Sequence, residues 1–260
     1  MNDLLSEWND EHPLSNGNED WKTIPGIPAF QNPEIQYLYA WGFDIPVTAV
    51  KKILALPLEA LIADLELVLQ DAELRYPAYF EREEAGKEPL PLSMISFPVH
   101  AIFLLAELKS TNSLGKVCRF LGKNSEMVDY WLAEHLTQNL WMALFKLGKD
   151  NLERLQKFAR NQDADWRARA ATTSAVAQVA WHYSGRRKEV FAWFEAFLAI
   201  ISKNSKMMTM PCCLGRQSLT WPTFAHLICS IPSKACSMKT SWKPQLADPL
   251  LKFRVTCTNL

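Results

Sequence analysis

Apolar residues recur along this chain at the spacing of an α-helix rather than that of a β-strand. The clearest stripe follows Pro57, where the apolar positions lie three or four residues apart and form one face of a helix: Leu58, Leu61, Ile62, Leu65 and Leu69. Acidic residues fill the opposite face of this predicted helix. A second stripe starts near Ser96 and repeats the same spacing at Ala101, Leu104, Leu105 and Leu108.

The same period predicts further helices as far as residue 202. A short helix begins at Asn32 and Pro33, where Asn32 supplies a capping side chain and the proline suits the first turn. Another helix begins at Pro46, and a charged loop covers residues 81–93. The later helices are predicted at 113–121, 126–135, 136–147, 151–160, 165–183 and 187–202. No segment alternates as a strand would, so the fold class is all-α.

Short helices joined by short turns are typical of stacked helical hairpins. The sharpest example lies at residues 152–176, where a polar turn with Asp163 and Asp165 precedes a helix that starts with Trp166 and Arg167. This unit resembles a HEAT-type repeat, which implies that the turn aspartate and Arg167 bind the turn backbone and neighbouring repeats. We therefore expect a HEAT-like α-solenoid in which these four residues are structural.

A wider resemblance covers roughly residues 35–205. Three segments carry it, namely PLEALIADLELVLQDAELRY, FPVHAIFLLAELKS and the Trp166-Arg167 unit, in this order and spacing. Together they resemble the bacterial domain-of-unknown-function family numbered 1186. The resemblance implies a helical, HEAT-like fold with no established activity and no catalytic residue, and we expect no cofactor.

Composition divides the chain at Lys206. Up to that residue there are 22 basic and 27 acidic residues, and beyond it there are six basic residues, one acidic residue and five of the six cysteines. Residues 1–32 are polar and rich in proline and glycine, which predicts a flexible N-terminal arm. We therefore expect a helical-repeat domain over 33–206 and a poorly ordered tail over 207–260.

The tail cysteines suggest zinc, but their spacing does not support a zinc site. The candidate ligands do not form two knuckles with ligands two to four residues apart: Cys212, Cys213, His226, Cys229, Cys236 and Cys257. Met and Trp have single codons, so residues 206–211 nearly fix their own DNA. Read from the third base of each codon, that DNA encodes an acidic turn, and the shifted reading beyond it continues as an apolar helix. We hypothesise a frameshift just before Met207.

Two classes of chemistry compete with a binding role. His100, together with the acidic cluster at Glu81, Glu83 and Glu84, is a candidate for an enzyme or a metal-dependent protein. The basic surface from Arg160 to Lys188 is a candidate for nucleic-acid binding through phosphate contacts. No phosphate loop, nucleophile elbow, H-E-x-x-H or C-x-x-C motif accompanies either candidate.

Our leading hypothesis is a non-enzymatic scaffold that binds a protein or a peptide. Its candidate contact residues flank the acidic cluster and the start of the last helix: Tyr76, Tyr79, Glu83, Glu84, Arg186 and Arg187. Cations at a helix start oppose the dipole, which suggests that Arg186 and Arg187 have a second role. We expect a cytoplasmic protein with no membrane partner, and we expect self-association if the frameshift leaves the last repeat uncapped.

Overall fold

A computed structural model of the chain describes residues 26–87 and 90–203. Within these residues the secondary structure is helical without a strand, which confirms the all-α prediction for this part of the chain. Residues 1–25 of the predicted arm and the whole predicted tail over 207–260, with its cysteines, lie outside the described residues.

Eleven α-helices follow one another in the described residues, with 3-10 turns at Pro33–Tyr39, Thr111–Ser113 and Ser184–Arg186. The first six are α1 (Val47–Leu54), α2 (Leu58–Glu84), α3 (Leu92–Ile95), α4 (Phe97–Glu107), α5 (Leu114–Leu121) and α6 (Ser125–Leu132). The others are α7 (His135–Gln138), α8 (Leu140–Gly148), α9 (Leu152–Ala159), α10 (Trp166–His182) and α11 (Arg187–Lys203).

The longer helices pack on one another in sequence order. α2 packs against α4, α4 packs against α8, and α8 packs against α10, which also receives α9. Nearly every side of α10 is covered, because its small residues Ala168, Ala171, Ala175, Ala177 and Ala180 are all buried. α10 is therefore a core helix rather than a surface helix.

In the predicted stripe of α2, Leu61, Leu65 and Leu69 are buried, Ile62 is half-buried and Leu58, at the start, is exposed. The helix continues through Pro77 to Glu84, so it extends four residues into the predicted charged loop. It ends where Gly86 adopts a φ of 66° and the N–H groups of Gly86 and Lys87 bond to carbonyls of the last turn. The first four residues of the predicted loop are thus helical, and the helix ends at a glycine cap.

The predicted helix over 126–135 is shorter in the structure. α6 ends at Leu132 because Ala133 has a φ of 40°, which no L-residue with a Cβ adopts without cost. α7 follows immediately as one short turn, and α8 starts at Leu140. Nothing in the local sequence marks this break, since alanine is a strong helix former.

Residues 26–32 lie against the body, although they belong to the predicted flexible arm. The backbone N–H groups of Gln31 and Asn32 donate to Asp64 at 2.9 and 2.8 Å. The Asn32 side chain also donates to Asp64, at 2.7 Å, and makes no capping bond to the 3-10 helix that follows. The capping role predicted for Asn32 is therefore wrong, and the helix after it is 3-10 rather than α.

In the part of the chain that the structure describes, no helix combines the length and the apolar character needed to cross a bilayer.

Candidate protein-binding surfaces

The turn between α9 and α10 is organised by Asp165. Its carboxylate accepts the backbone N–H groups of Arg167 at 2.7 Å and Ala168 at 3.3 Å, so Asp165 is the N-cap of α10. Asp163 is exposed, and its backbone N–H donates a hydrogen bond to the Asn161 side chain. Of the two turn aspartates, Asp165 makes the structural contacts.

Arg167 joins this turn to the start of α6. Its guanidinium donates to Asp165 and to Asp129 of α6, while Ser125 at the start of α6 donates to Asp165. Burial alone would raise the pKa of Asp165, but the hydrogen bonds from Arg167 and Ser125 outweigh burial and lower it. Arg167 also lies over the half-buried ring of Trp166, at 5.9 Å from the ring centroid.

Arginines of the predicted basic surface bind the carbonyl ends of neighbouring helices. Arg169 donates to Ala159, the last residue of α9, and Arg187 donates to Ala180 in the last turn of α10. Arg186 donates to the Lys149 carbonyl just after α8 and also pairs with Glu189. Each cation therefore lies where unpaired carbonyls and a helix C-terminus favour it.

These contacts explain why Arg186 and Arg187 occur at a helix start, where the dipole of α11 itself disfavours them. Arg160 lies over the Trp193 ring at 5.7 Å, and Arg167 is held by two aspartates. Much of the predicted nucleic-acid surface is thus engaged in packing and capping. Arg187 and Lys188 keep exposed side chains at this point.

His100 lies on α4 and faces the loop before α1. Its Nε2 donates to the Gly42 carbonyl at 2.6 Å, which fixes the proton on Nε2 because a carbonyl only accepts. Burial lowers the pKa of His100, the bond to Gly42 partly offsets this effect, and the neighbouring His135 lowers the pKa further. His100 therefore bonds to a backbone carbonyl and not to a glutamate of the acidic cluster.

Metal ligation and thiol chemistry find little support in the described residues. Within 26–87 and 90–203, no three side chains of the types His, Cys, Asp and Glu are grouped so that they could hold a metal ion. Cys118 is a free thiol, and burial raises its pKa to about 12. A thiol that stays protonated at neutral pH is a poor nucleophile.

The end of α2 and the start of α6 form one surface, here called the acidic aromatic face: Tyr76, Phe80, Glu83, Glu84, Glu126 and Tyr130. The Tyr76 ring lies 5.6 Å from Phe80 and 5.7 Å from Tyr130, measured between centroids. Glu83, Glu84 and Glu126 are exposed, whereas the three rings are half-buried.

The electrostatics of the tyrosines agree with this arrangement. Burial raises the pKa of Tyr76, and Glu126, Glu83 and Glu84 raise it further. Burial also raises the pKa of Tyr130, with Glu83 as the next largest cause. Three carboxylates from two helices therefore act on the same ring, which sequence spacing alone did not show.

Tyr79 belongs to the core and is not a contact residue. It is only 1% exposed and packs against Trp131, with ring centroids 5.4 Å apart. Its placement in the predicted contact set is wrong, because α6 covers the side of α2 on which Tyr79 lies. Tyr76, Glu83 and Glu84 of that set lie on the acidic aromatic face.

A second surface was not predicted. At the ends of α8 and α10, large apolar side chains remain exposed: Trp181 at 62%, Tyr183 at 40% and Met142 at 39%. Phe145 joins them, since its ring lies 5.2 Å from His182 and 6.4 Å from Tyr183. The sequence signal was available, because Trp181 and Tyr183 end an otherwise small-residue helix.

Comparison with family models, with curated proteins and with solved structures finds no match to this chain. The resemblance to the family numbered 1186 therefore stays a prediction.

Proposed function

We propose that this protein is a non-enzymatic scaffold of HEAT-like helical hairpins, and that its acidic aromatic face binds a basic protein segment. The observation that carries the proposal is the convergence of three rings and three exposed glutamates from α2 and α6. Aromatic rings supply contact area at low entropic cost, and carboxylates around them favour a partner with lysines or arginines.

The position of the glutamates supports a role other than helix stability. Glu83 and Glu84 lie in the last turn of α2, where the negative end of the dipole disfavours an acid. A cationic partner would relieve this repulsion and could stack on Tyr76 or Tyr130.

The HEAT-like arrangement is supported by the order of packing and by the turn before α10. The main packing contacts run from α2 to α4, from α4 to α8 and from α8 to α10, in the order of the chain, as in stacked hairpins. Asp165 and Arg167 tie the turn to the start of α6, which is the role expected of them in such a repeat.

Photo-crosslinking from Tyr76 tests the binding role. The full chain with a benzophenone amino acid at position 76 is expressed in its native cell and irradiated. We expect an adduct with a protein, and we expect the double change Glu83→Lys and Glu84→Lys to abolish it. The matched control carries the same crosslinker at Leu74, which is 72% exposed on the same helix. Equal adducts at both positions, or adducts that survive the charge reversal, would contradict the proposal.

A further inference from the structure

Exposed and half-buried side chains at α8, at the end of α10 and at the start of α11 are here called the basic aromatic patch: Met142, Phe145, Lys149, Trp181, His182, Tyr183, Arg187 and Lys188. Ring contacts join Phe145, His182 and Tyr183, and Trp181 precedes His182 in the chain. Met142 lies one turn before Phe145 on the same face of α8. The rings of Phe145, His182 and Tyr183 follow at centroid distances of 5.2 and 6.4 Å. Single exposed apolar residues are ordinary, but a group of this kind marks an interaction surface.

Cations surround this patch. Lys149 lies over the Tyr183 ring at 5.9 Å, and the side chains of Arg187 and Lys188 are exposed beside it. Three ion pairs lie at its edge, joining Lys146 to Glu107, Lys149 to Asp150 and Arg186 to Glu189. Among the described side chains of this region the cations therefore outnumber the acids.

The acidic aromatic face has the opposite charge and the same kind of aromatic anchors. The two surfaces lie toward opposite ends of α10. Arg167 at the start of α10 bonds to Asp129, the neighbour of Tyr130, whereas Trp181 lies at the other end. Fourteen residues of helix separate Arg167 from Trp181, which corresponds to about 21 Å.

We infer that this chain associates head to tail with a second copy of itself, the acidic aromatic face of one copy docking on the basic aromatic patch of the next. The inference rests on the proposed function, since it names the partner of the same face. Charge complementarity selects this occupant: glutamates meet the exposed Arg187 and Lys188, and Tyr76 and Tyr130 meet Trp181 and Tyr183. Trp, Tyr, Met and Arg are the residue types enriched in interfaces.

The patch favours a protein over a nucleic acid. Exposed rings beside cations also suit single-stranded nucleic acid, but three cations at the edge of the patch already pair with acids, which leaves fewer cations to follow a chain of phosphates. The Nε–H group of Arg187 already donates a hydrogen bond to the Ala180 carbonyl. A surface of mixed charge fits a protein partner better.

The geometry sets the kind of assembly. Because two different surfaces meet, the contact is heterologous and leaves one surface of each kind free at the ends, so the assembly continues to longer oligomers unless it closes into a ring. A two-fold symmetric dimer would instead bury the same surface on both copies.

Sedimentation velocity on the full chain tests the inference. The mass of the wild-type protein should rise with concentration beyond that of a dimer, and the association should weaken as salt screens the charges. Two variants are tested separately: Trp181→Ser, and the double variant Glu83→Lys, Glu84→Lys. Each should raise the dissociation constant by roughly ten-fold or more, the loss expected for a central interface residue. Leu74→Ser, which removes an exposed apolar side chain outside both surfaces, should behave as wild type.

Mixing the two defective variants gives the decisive result. The Trp181→Ser copy keeps its acidic face and the Glu83→Lys, Glu84→Lys copy keeps its basic patch, so the mixture should form a dimer and nothing larger. Association of either variant to the wild-type extent, or failure of the mixture to associate, overturns the inference. A wild-type chain that stays monomeric overturns it too, whereas the proposed function fails if the Tyr76 adducts equal those at Leu74 or do not depend on Glu83 and Glu84. Tight binding of a labelled oligothymidine that is lost in Trp181→Ser would assign the patch to nucleic acid instead.

Discussion

Around α2, charged side chains are buried, whereas around the start of α10 they reach water. Arg75 and Asp71 of α2 pair with side chains that are 0% and 5% exposed, and the Tyr39 hydroxyl donates to the same carboxylate at 2.7 Å. Arg167 of α10 binds the buried Asp165, but its side chain is 22% exposed and its second partner, Asp129, is 52% exposed.

The difference predicts how each group tolerates loss of a partner. Arg75 donates to Asp71 and also, at 2.7 Å, to the Gly26 carbonyl, so it holds residues 26–32 on the body without contact with solvent. Burial alone would lower the pKa of Arg75, but its bonds with Asp71 outweigh burial and raise it. A charge left alone in such a place is costly, whereas water can replace a lost partner at the surface of α10.

Replacing Arg75 should therefore give the largest effect. Arg75→Met leaves the Asp71 carboxylate buried without its cation, and we expect the free energy of unfolding to fall by about 3–5 kcal/mol. Urea denaturation followed by far-ultraviolet circular dichroism measures this change.

Two controls isolate the buried charge in that experiment. The double variant Asp71→Asn with Arg75→Met removes both charges, and the amide can still accept from Tyr39, so it should be more stable than Arg75→Met alone. Lys123→Met breaks a surface ion pair with Glu73 on the same helix, at 3.0 Å, and should cost less than about 1 kcal/mol. A double variant no more stable than the single one would show that packing, and not charge, is lost.

Removing the cap of α10 should have an intermediate effect. Asp165→Ala loses the N-cap bonds together with the contacts to Arg167 and Ser125, and we expect a cost of about 1–2 kcal/mol in thermal or urea unfolding. Asp163→Ala, in the same turn, should change stability by less than about 0.5 kcal/mol because its side chain is exposed. If the two variants were equally destabilised, Asp165 would not be the residue that organises the turn.

The Asp165 group could be predicted from sequence because its elements are local. A polar turn, a capping aspartate and an arginine two residues later are visible in a short window, and α10 begins where they indicate. The α2 group could not be predicted in the same way, since Asp64 and Asp71 were assigned to the exposed face and are 2% and 3% exposed. Asn32 bonds to Asp64, Tyr39 to Asp71 and Gly26 to Arg75, and these partners come from 32 to 49 residues earlier in the chain.

The binding surfaces show the same limit. Tyr76 and Tyr79 lie three residues apart on one helix, yet α6 buries Tyr79 and leaves Tyr76 half-exposed, which only tertiary packing decides. The basic aromatic patch was not predicted either, because its rings come from two helices, α8 and the end of α10. The sequence analysis did not single out Trp181, which is 62% exposed.

The smallest expected effect concerns His100, a further polar group held inside the helical body. Because burial lowers the pKa of its imidazole in the folded state, the unfolded chain binds the proton more readily. The contribution of neutral His100 is complete above the unfolded pKa of about 6.5 and is lost as the pH falls toward the lower, folded value. In His100→Gln the amide can still donate to the Gly42 carbonyl but does not titrate, and the change should cost about 1 kcal/mol or less near neutral pH.

Urea unfolding at about pH 7.5 and about pH 5.5 should therefore show a larger loss of stability in the wild type than in this variant. Equal losses would mean that protonation of His100 does not oppose folding, and that the buried charges of α2, rather than buried polar groups in general, distinguish the first half of the body.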